Sequence, residues 1–250
     1  MQFIDLQKKI LMLSVIVFFC SMANAEGDSS PSLNPQPFVK TTFPTFLGIG
    51  VQSYFFSQMS ISLEYGFVPQ PFYETIGTVA AALSGNSSYK DVVEAALSNN
   101  SLWRIDARYH FYKSGNDGWF IGLSYSYINS KGQAEIDSVL SAATGYDYTT
   151  LKNLLIAAGK STSVDLDSQL SLLDAYTGYN WNMSTHTLLA LHFGITKIIS
   201  SDVKMKTGLS TFESTSAGKK LIANSETEIE RIVLEYGLSP IVGVQYNYLF

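Results

Sequence analysis

The sequence is short of cysteine, of basic charge, of histidine and of long apolar runs. Its 250 residues hold one cysteine, Cys20, inside the N-terminal apolar stretch Ile10 to Met22. A lipoprotein needs a small residue before that cysteine, and Phe19 is bulky. From residue 26 onward there is no thiol, hence no disulfide and no thiolate metal site. The 16 Lys and Arg are outnumbered by 21 Asp and Glu. That balance speaks against a nucleic-acid partner, which requires a basic face. No stretch beyond residue 25 reaches 18 consecutive apolar residues, so no membrane-spanning helix is expected. The three histidines, His110, His186 and His192, share no ligand spacing with carboxylates, and no metal or cofactor is expected. His186 lies in Ser184-Thr185-His186-Thr187, a common turn composition. No residue pattern joins a nucleophile to a base, and no glycine-rich phosphate loop precedes a helix. The sequence therefore does not read as an enzyme.

The N-terminus reads as an export signal. Lys8 and Lys9 precede the 13-residue apolar run, and Ala23-Asn24-Ala25 supplies a small-x-small cleavage site. Thirteen helical residues span about 20 Å, short of a hydrocarbon core of about 30 Å. Cleavage is expected after Ala25. Removing Asp5, Lys8 and Lys9 leaves 14 basic and 20 acidic residues, a net −6. Residues 26–45 form a polar, proline-rich lead-in, and 46–250 the main domain.

Aromatics are abundant, with 15 Tyr and 15 Phe, and many stand on alternate positions. Leu47, Ile49 and Val51 alternate with Gly48, Gly50 and Gln52. Met59, Ile61, Leu63, Tyr65 and Phe67 alternate with Ser60, Ser62, Glu64 and Gly66. Trp103, Ile105, Ala107, Tyr109 and Phe111 alternate with Arg104, Asp106, Arg108 and His110. The pattern recurs over 119–127, 173–181 and 189–196, and ends with Val242, Val244, Tyr246, Tyr248 and Phe250. Side chains alternate across a strand, so each segment has one greasy and one polar face. In lipid, strands span only as a closed barrel, with the greasy face toward lipid and the polar face in the lumen. A soluble sandwich or lipocalin-like barrel would alternate too, but with a charged outward face. The favoured fold is an all-β antiparallel transmembrane β-barrel in a Gram-negative outer membrane.

Seven strands are marked, at about 46–55, 59–67, 102–112, 118–129, 170–181, 186–198 and 230–250. Closure with both termini on one side requires an even number. A weak first strand at Pro37–Thr42 gives eight; a split of 226–250 at Pro240 is the other solution. Connections at 56–58, 114–118 and 182–185 are short. Those at 68–100, 130–165 and 199–224 are long, so the short set is assigned to the periplasm. Helical spacings within 75–97 and 136–158 place helices in the outer loops.

The ending Val242, Val244, Tyr246, Tyr248 and Phe250 resembles the C-terminal sorting signal of bacterial outer-membrane proteins. The resemblance implies the barrel-assembly machinery as a partner, alongside outer-membrane lipid. The layout over residues 45–250 resembles the OmpW family of eight-stranded barrels. The matching features are Leu47–Gln52, the Arg108-Tyr109-His110-Phe111 strand end with Trp119 to Tyr127, and Leu238-Ser239-Pro240 before Tyr248-Leu249-Phe250. That resemblance implies a path for small hydrophobic molecules. Asn247, where such endings often carry Gly, and the longer helical loops depart from the family. Barrels of the OmpA or OmpX sort are close competitors.

Strand parity sends Arg104, Asp106, Arg108 and His110 into the lumen as a polar ladder. Glu64, Asp174 and His192 join them, and Arg231 and Glu235 would do so if 230–250 were one strand. An eight-stranded barrel is only wide enough for side chains to fill it. The ladder is then either an ion-paired plug, because buried charges must pair, or a constriction that selects solutes. The first gives a closed structural or surface-interaction barrel with an unknown extracellular ligand. The second gives porin-like passage of small or hydrophobic solutes, which is the leading expectation, with the closed barrel as its alternative.

Overall fold

The computed structural model describes residues 35–55, 58–111, 117–209 and 213–249. The cleavage residues Ala23 and Ala25, and Phe250 of the sorting signal, lie outside them. The chain forms a closed eight-stranded antiparallel barrel in which each strand pairs with its sequence neighbour and β1 pairs with β8. The strands are β1 Gln36–Phe43, β2 Phe46–Tyr54, β3 Met59–Phe67, β4 Asn100–His110, β5 Gly118–Glu135, β6 Ser163–Ser184, β7 Thr187–Lys206 and β8 Leu238–Tyr248. The helices are α1 Gln70–Ser84 and α2 Ser88–Leu97 between β3 and β4, α3 Ile136–Thr144 and α4 Thr149–Ala157 between β5 and β6, and α5 Ser216–Tyr236 between β7 and β8. All the described helices lie at one end, together with the β1–β2 turn. The β6–β7 turn lies at the opposite end, with Gln36 and Tyr248.

The first strand occupies the weakly patterned segment, extending one residue beyond it on each side. Four expected strands are corrected: β5, β6 and β7 extend well beyond the expected 118–129, 170–181 and 186–198 into segments read as loops, and 230–250 is not one strand. Residues 230–236 belong to α5, and β8 begins only at Leu238. The reason is visible in the side chains. Ile222, Ile229, Ile232 and Val233 recur at helical spacing, and Ile229 and Ile232 are 3% exposed. Arg231 and Glu235 are therefore not lumen residues. They pair with each other across one turn of the exposed face of α5, where Arg231 also meets Glu228 at 2.7 Å.

The wall is uneven. β1, β2 and β3 have eight or nine residues, while β5, β6 and β7 have 18, 22 and 20. The lower part of the wall turns apolar side chains outward. Ile49, Leu63, Trp103, Ile105, Trp119, Ile121, Phe193, Val242 and Tyr246 are all 42–62% exposed. On β5 this face runs from Trp119 to Tyr127, about 27 Å along the strand. At the usual tilt of a membrane strand that is roughly 20 Å of height, close to the apolar band of outer-membrane barrels. Aromatic rings edge the band. Tyr65, Trp103 and Tyr127 stand in cross-strand register on the helical side. Trp119, Tyr179 and Trp181 stand near the other end.

Above Tyr127 the hydrophobic phase inverts while the strand geometry continues. The outward positions become Lys131, Gln133, Asp165, Asp167, Asp202 and Lys204, and the inward ones Ala134, Val164, Leu166, Val203 and Met205. This three-stranded extension packs its inner face on Val92 and Ala95 of α2, Val139 and Leu140 of α3 and Ile229 of α5. Water on the outer face and helices on the inner face explain the switch. The extension's free edge along β7 is capped by α5 and its lead-in. Backbone N–H groups of Val203, Met205 and Thr207 donate to Glu230, Glu226 and Glu213 at 2.9, 2.8 and 2.7 Å. An exposed strand edge invites foreign pairing, and these glutamates occupy it. Along β5, the backbone of α2 at Ala95 comes so close that a Cβ on Gly132 would lie 1.7 Å from its carbonyl oxygen.

Candidate functional site

The barrel interior is the candidate site. Glu64, Arg104, Asp106, Arg108, His110, Asp174 and His192 all lie inside it and are at most 2% exposed. The structure brings the six acidic and basic groups of the interior into one chain, and its missing link is Lys40, 1% exposed on β1. Asp174 meets Arg104 at 3.0 Å, Arg104 meets Glu64 at 3.8 Å, and Glu64 meets Lys40 at 2.9 Å. Lys40 meets Asp106 at 3.1 Å, and Asp106 meets Arg108 at 3.0 Å. Three cations and three anions alternate, so the set is neutral.

Neutral partners fill many of the remaining valences, while Glu64 Oε2 and Asp174 Oδ1 accept no hydrogen bond among the described residues. Arg104 Nε donates to Ser126 Oγ at 2.7 Å, Ser62 to Glu64 at 3.1 Å and Ser124 to Asp174 at 2.8 Å. Tyr176 donates its hydroxyl proton to Asp106 and accepts from Arg108 at 3.0 Å. Tyr176 reaches this position because its ring lies over β5 at Gly122, where a Cβ would stand 2.4 Å from the ring. Aromatic faces finish the packing: Arg104 lies 4.7 Å from the Phe46 ring centroid and Arg108 5.1 Å from that of Phe120. Buried charges with this many partners are tolerated, since the desolvation of each is offset by several charge-assisted contacts.

The two histidines stand at the side of this chain. His110 bonds Ser60 at 2.9 Å and lies between the rings of Tyr54 and Phe120. His192 bonds Thr42 at 3.1 Å, over Gly243, where a Cβ would stand 2.3 Å from the imidazole. Toward the termini an amide cluster continues the network. Gln245 donates to Gln52 at 2.9 Å and to Asn247 at 2.8 Å, and Gln52 donates to Ser60 at 3.1 Å.

Toward the helices the lumen changes character within one inward step. Two residues from Arg104 stands Leu102, two from Ser126 stands Ile128, two from Asp174 stands Leu172, and two from Gly48 stands Phe46. These four and Val68, Leu97 and Leu170 form one buried apolar layer over the charges. Within this layer lies a mostly apolar chamber of about 70 Å³, lined by Val68, Ile76, Leu97, Ile128, Leu172 and Ile198 and by Thr45, which accepts from Arg104 at 3.5 Å. On the outside of the wall, Val242, Val244, Tyr246 and Tyr248 of the sorting signal face outward, each 39–54% exposed.

Sequence parity locates seven interior residues but not Lys40, Tyr176, Gln52, Gln245 and Asn247 as their partners. Gln245 and Asn247 stand on the polar face of a recognisable strand. Lys40 belongs to the strand with the weakest alternation, and the phenol of Tyr176 occupies an inward position where a small or charged residue is the usual sign.

No family model matches this chain, and no curated protein matches it. Among solved structures it is similar to the N-terminal β-barrel domain of Pseudomonas aeruginosa OprF, at 10% identity and TM-score 0.40, over 89% of this chain and 100% of that one. It is similar to Acinetobacter baumannii CarO2, at 11% identity and TM-score 0.34, over 88% and 100%. A major outer membrane protein from Thermus thermophilus matches at 9% identity and TM-score 0.33, over 85% and 98%.

Proposed function

We propose that this chain is a bacterial outer-membrane β-barrel with a closed lumen, acting through the helical cap that it holds outside the membrane as a structural or surface-interaction barrel. The observation that carries the reading is the lumen itself. Six alternating charges consume one another, and an apolar layer packs over them on the cap side. A selective pore would keep charges facing water, because ions must exchange their hydration for pore groups. Membrane residence is supported by the outward apolar band and its aromatic edges. On this reading outer-membrane lipid surrounds the band, and β8 is the segment offered to the barrel-assembly machinery. The extracellular ligand would meet the cap, whose exposed apolar residues include Leu83, Tyr146, Leu154 and Ile156.

The test is single-channel recording of refolded residues 26–250 in planar bilayers, with folding verified by heat-modifiable migration. Silence at all voltages is expected. Discrete steps from folded protein overturn the reading and restore porin-like passage. The OmpW-like reading, a path for small hydrophobic molecules that carries no ionic current, is favoured by the mostly apolar chamber of about 70 Å³ within the apolar layer. Saturable binding of an alkane or fatty-acid probe, lost in Leu97→Trp, would support it over a purely structural barrel.

A further inference from the structure

The outer wall carries a second feature that the lumen does not explain. Between β5, β6 and β7, near the turn-bearing end, lies a groove of about 200 Å³ lined by Trp119, Gly178, Tyr179, Trp181, Leu191 and Phe193. Its walls are rings packed on one another. Trp119 packs edge-on against Tyr179 at 5.5 Å, and Tyr179 lies 4.8 Å from Trp181. Its floor is the β6 backbone at Gly178. Next to the floor Thr177 donates its hydroxyl to the Phe120 carbonyl at 2.9 Å, so no free hydroxyl is turned toward the groove from that side. A Cβ at Gly178 would stand 2.4 Å from the Phe120 ring inside the barrel, so the residue has no side chain to spare for either face.

We infer that this groove is a binding site for one acyl chain of a glycerophospholipid in the periplasmic leaflet. The inference rests on the membrane reading above. Within that reading the occupant follows from position and chemistry. The groove is apolar and lies inside the outward greasy band, where hydrocarbon is the surrounding medium. It sits beside the start of β5 and the β6–β7 turn, at the end opposite the helices, which selects the periplasmic leaflet. Trp and Tyr edge it at the depth where amphipathic rings meet lipid headgroups. Aromatic walls that pack ring on ring lower the ordering cost of seating a flexible chain, so this position retains a lipid that the smooth parts of the wall release.

The experiment is native mass spectrometry of the full barrel released from phospholipid nanodiscs, comparing wild type with Leu191→Phe. That substitution fills the groove from β7 with a residue suited to a lipid-facing strand. Ile61→Phe, on the outward face of β3, is the control. Wild type and Ile61→Phe are expected to retain one phospholipid after the remainder is stripped, and Leu191→Phe to lose it. Trp quenching by brominated phospholipid should fall in Leu191→Phe. Equal lipid retention in all three proteins overturns the inference. So does a dimer that Leu191→Phe converts to monomer, because the occupant is then a second copy. A protein that inserts and folds but retains no lipid overturns the groove alone. A protein that never enters the bilayer overturns the membrane reading as well.

Discussion

Lys40 offers the sharpest test of the charge chain, because it joins two carboxylates that share no other link. Its ammonium lies 2.9 Å from Glu64 and 3.1 Å from Asp106, and it is 1% exposed. Lys40→Met keeps the stem's volume and removes the charge. Three anions then face two cations in a buried interior. Breaking a buried pair by removing one partner costs about 3–5 kcal/mol, because the remaining charge is left uncompensated. The one cation still in contact with Glu64 is Arg104, at 3.8 Å, beside the neutral Ser62 hydroxyl, so the upper half of that range is expected. Adding Glu64→Gln restores neutrality with nearly the same shape. The new amide oxygen still accepts from Ser62, and Asp106 keeps Arg108 and Tyr176. The double variant should therefore recover more than half of the loss. The assay is urea unfolding in phospholipid vesicles, followed by the fluorescence of outward-facing Trp103, Trp119 and Trp181. A single variant that loses less than about 1 kcal/mol, or a double variant no more stable than the single, refutes the claim that these charges exist to satisfy one another.

Three further outcomes concern the cap. Gly132→Val drives a side chain into the Ala95 carbonyl, 1.7 Å from where its Cβ would stand. It should loosen α2 by about 1–3 kcal/mol and expose the cap to protease while the barrel stays folded. Glu226→Ala with Glu230→Ala strips the β7 edge of two acceptors; cap stability should drop by about 2 kcal/mol, read as faster amide exchange at Val203 and Met205. Hydrogen bonds from the Thr207 side chain and backbone hold the Glu213 carboxyl below its ordinary value of 4.5. A depressed folded value means the contribution is full above the unfolded value and is lost as pH falls through the folded one. Exchange at the Thr207 amide, corrected for intrinsic rate, should accelerate below about pH 4.5 and lose that dependence in Glu213→Gln.

How much of this is legible depends on which solvent a strand faces. Where the outward face is apolar, Ile61 to Phe67 and Trp103 to Phe111 alternate loudly, and parity assigns Arg104, Asp106 and Arg108 to the interior. Where β5, β6 and β7 rise into water the sign of the alternation reverses. Val164-Asp165-Leu166-Asp167 is as regular as any membrane segment but points its apolar side inward, so a search for greasy outward faces ends those strands too early. Residues 230–236 mislead for a related reason. Their apolar residues serve a soluble-type core, and the spacing of Ile229, Ile232 and Val233 is helical. Lys40 escapes parity because Thr41, opposite in phase, gives β1 a polar residue on its outward face. Which charge pairs with which is not a property of one strand. It follows from the closure of β1 on β8, which brings Lys40 beside Gln245 and across the lumen from Asp106.

The claim that matters most is that the lumen is shut at the charge layer, and thiol accessibility reads it directly. From residue 26 onward the chain has no cysteine, so Ser62→Cys introduces a single thiol beside Glu64, at a position 2% exposed. Asp165→Cys, on the outward, exposed face of the β6 extension, serves as the control. The folded protein in bilayers would be treated with a small cationic methanethiosulfonate reagent, supplied to both sides. The closed lumen predicts rapid labelling of the thiol at position 165, and labelling of the thiol at position 62 only after unfolding in urea. Prompt labelling at position 62 in the folded protein, from either side, would mean that water and solute reach the charge layer, and the closed-barrel account would fall.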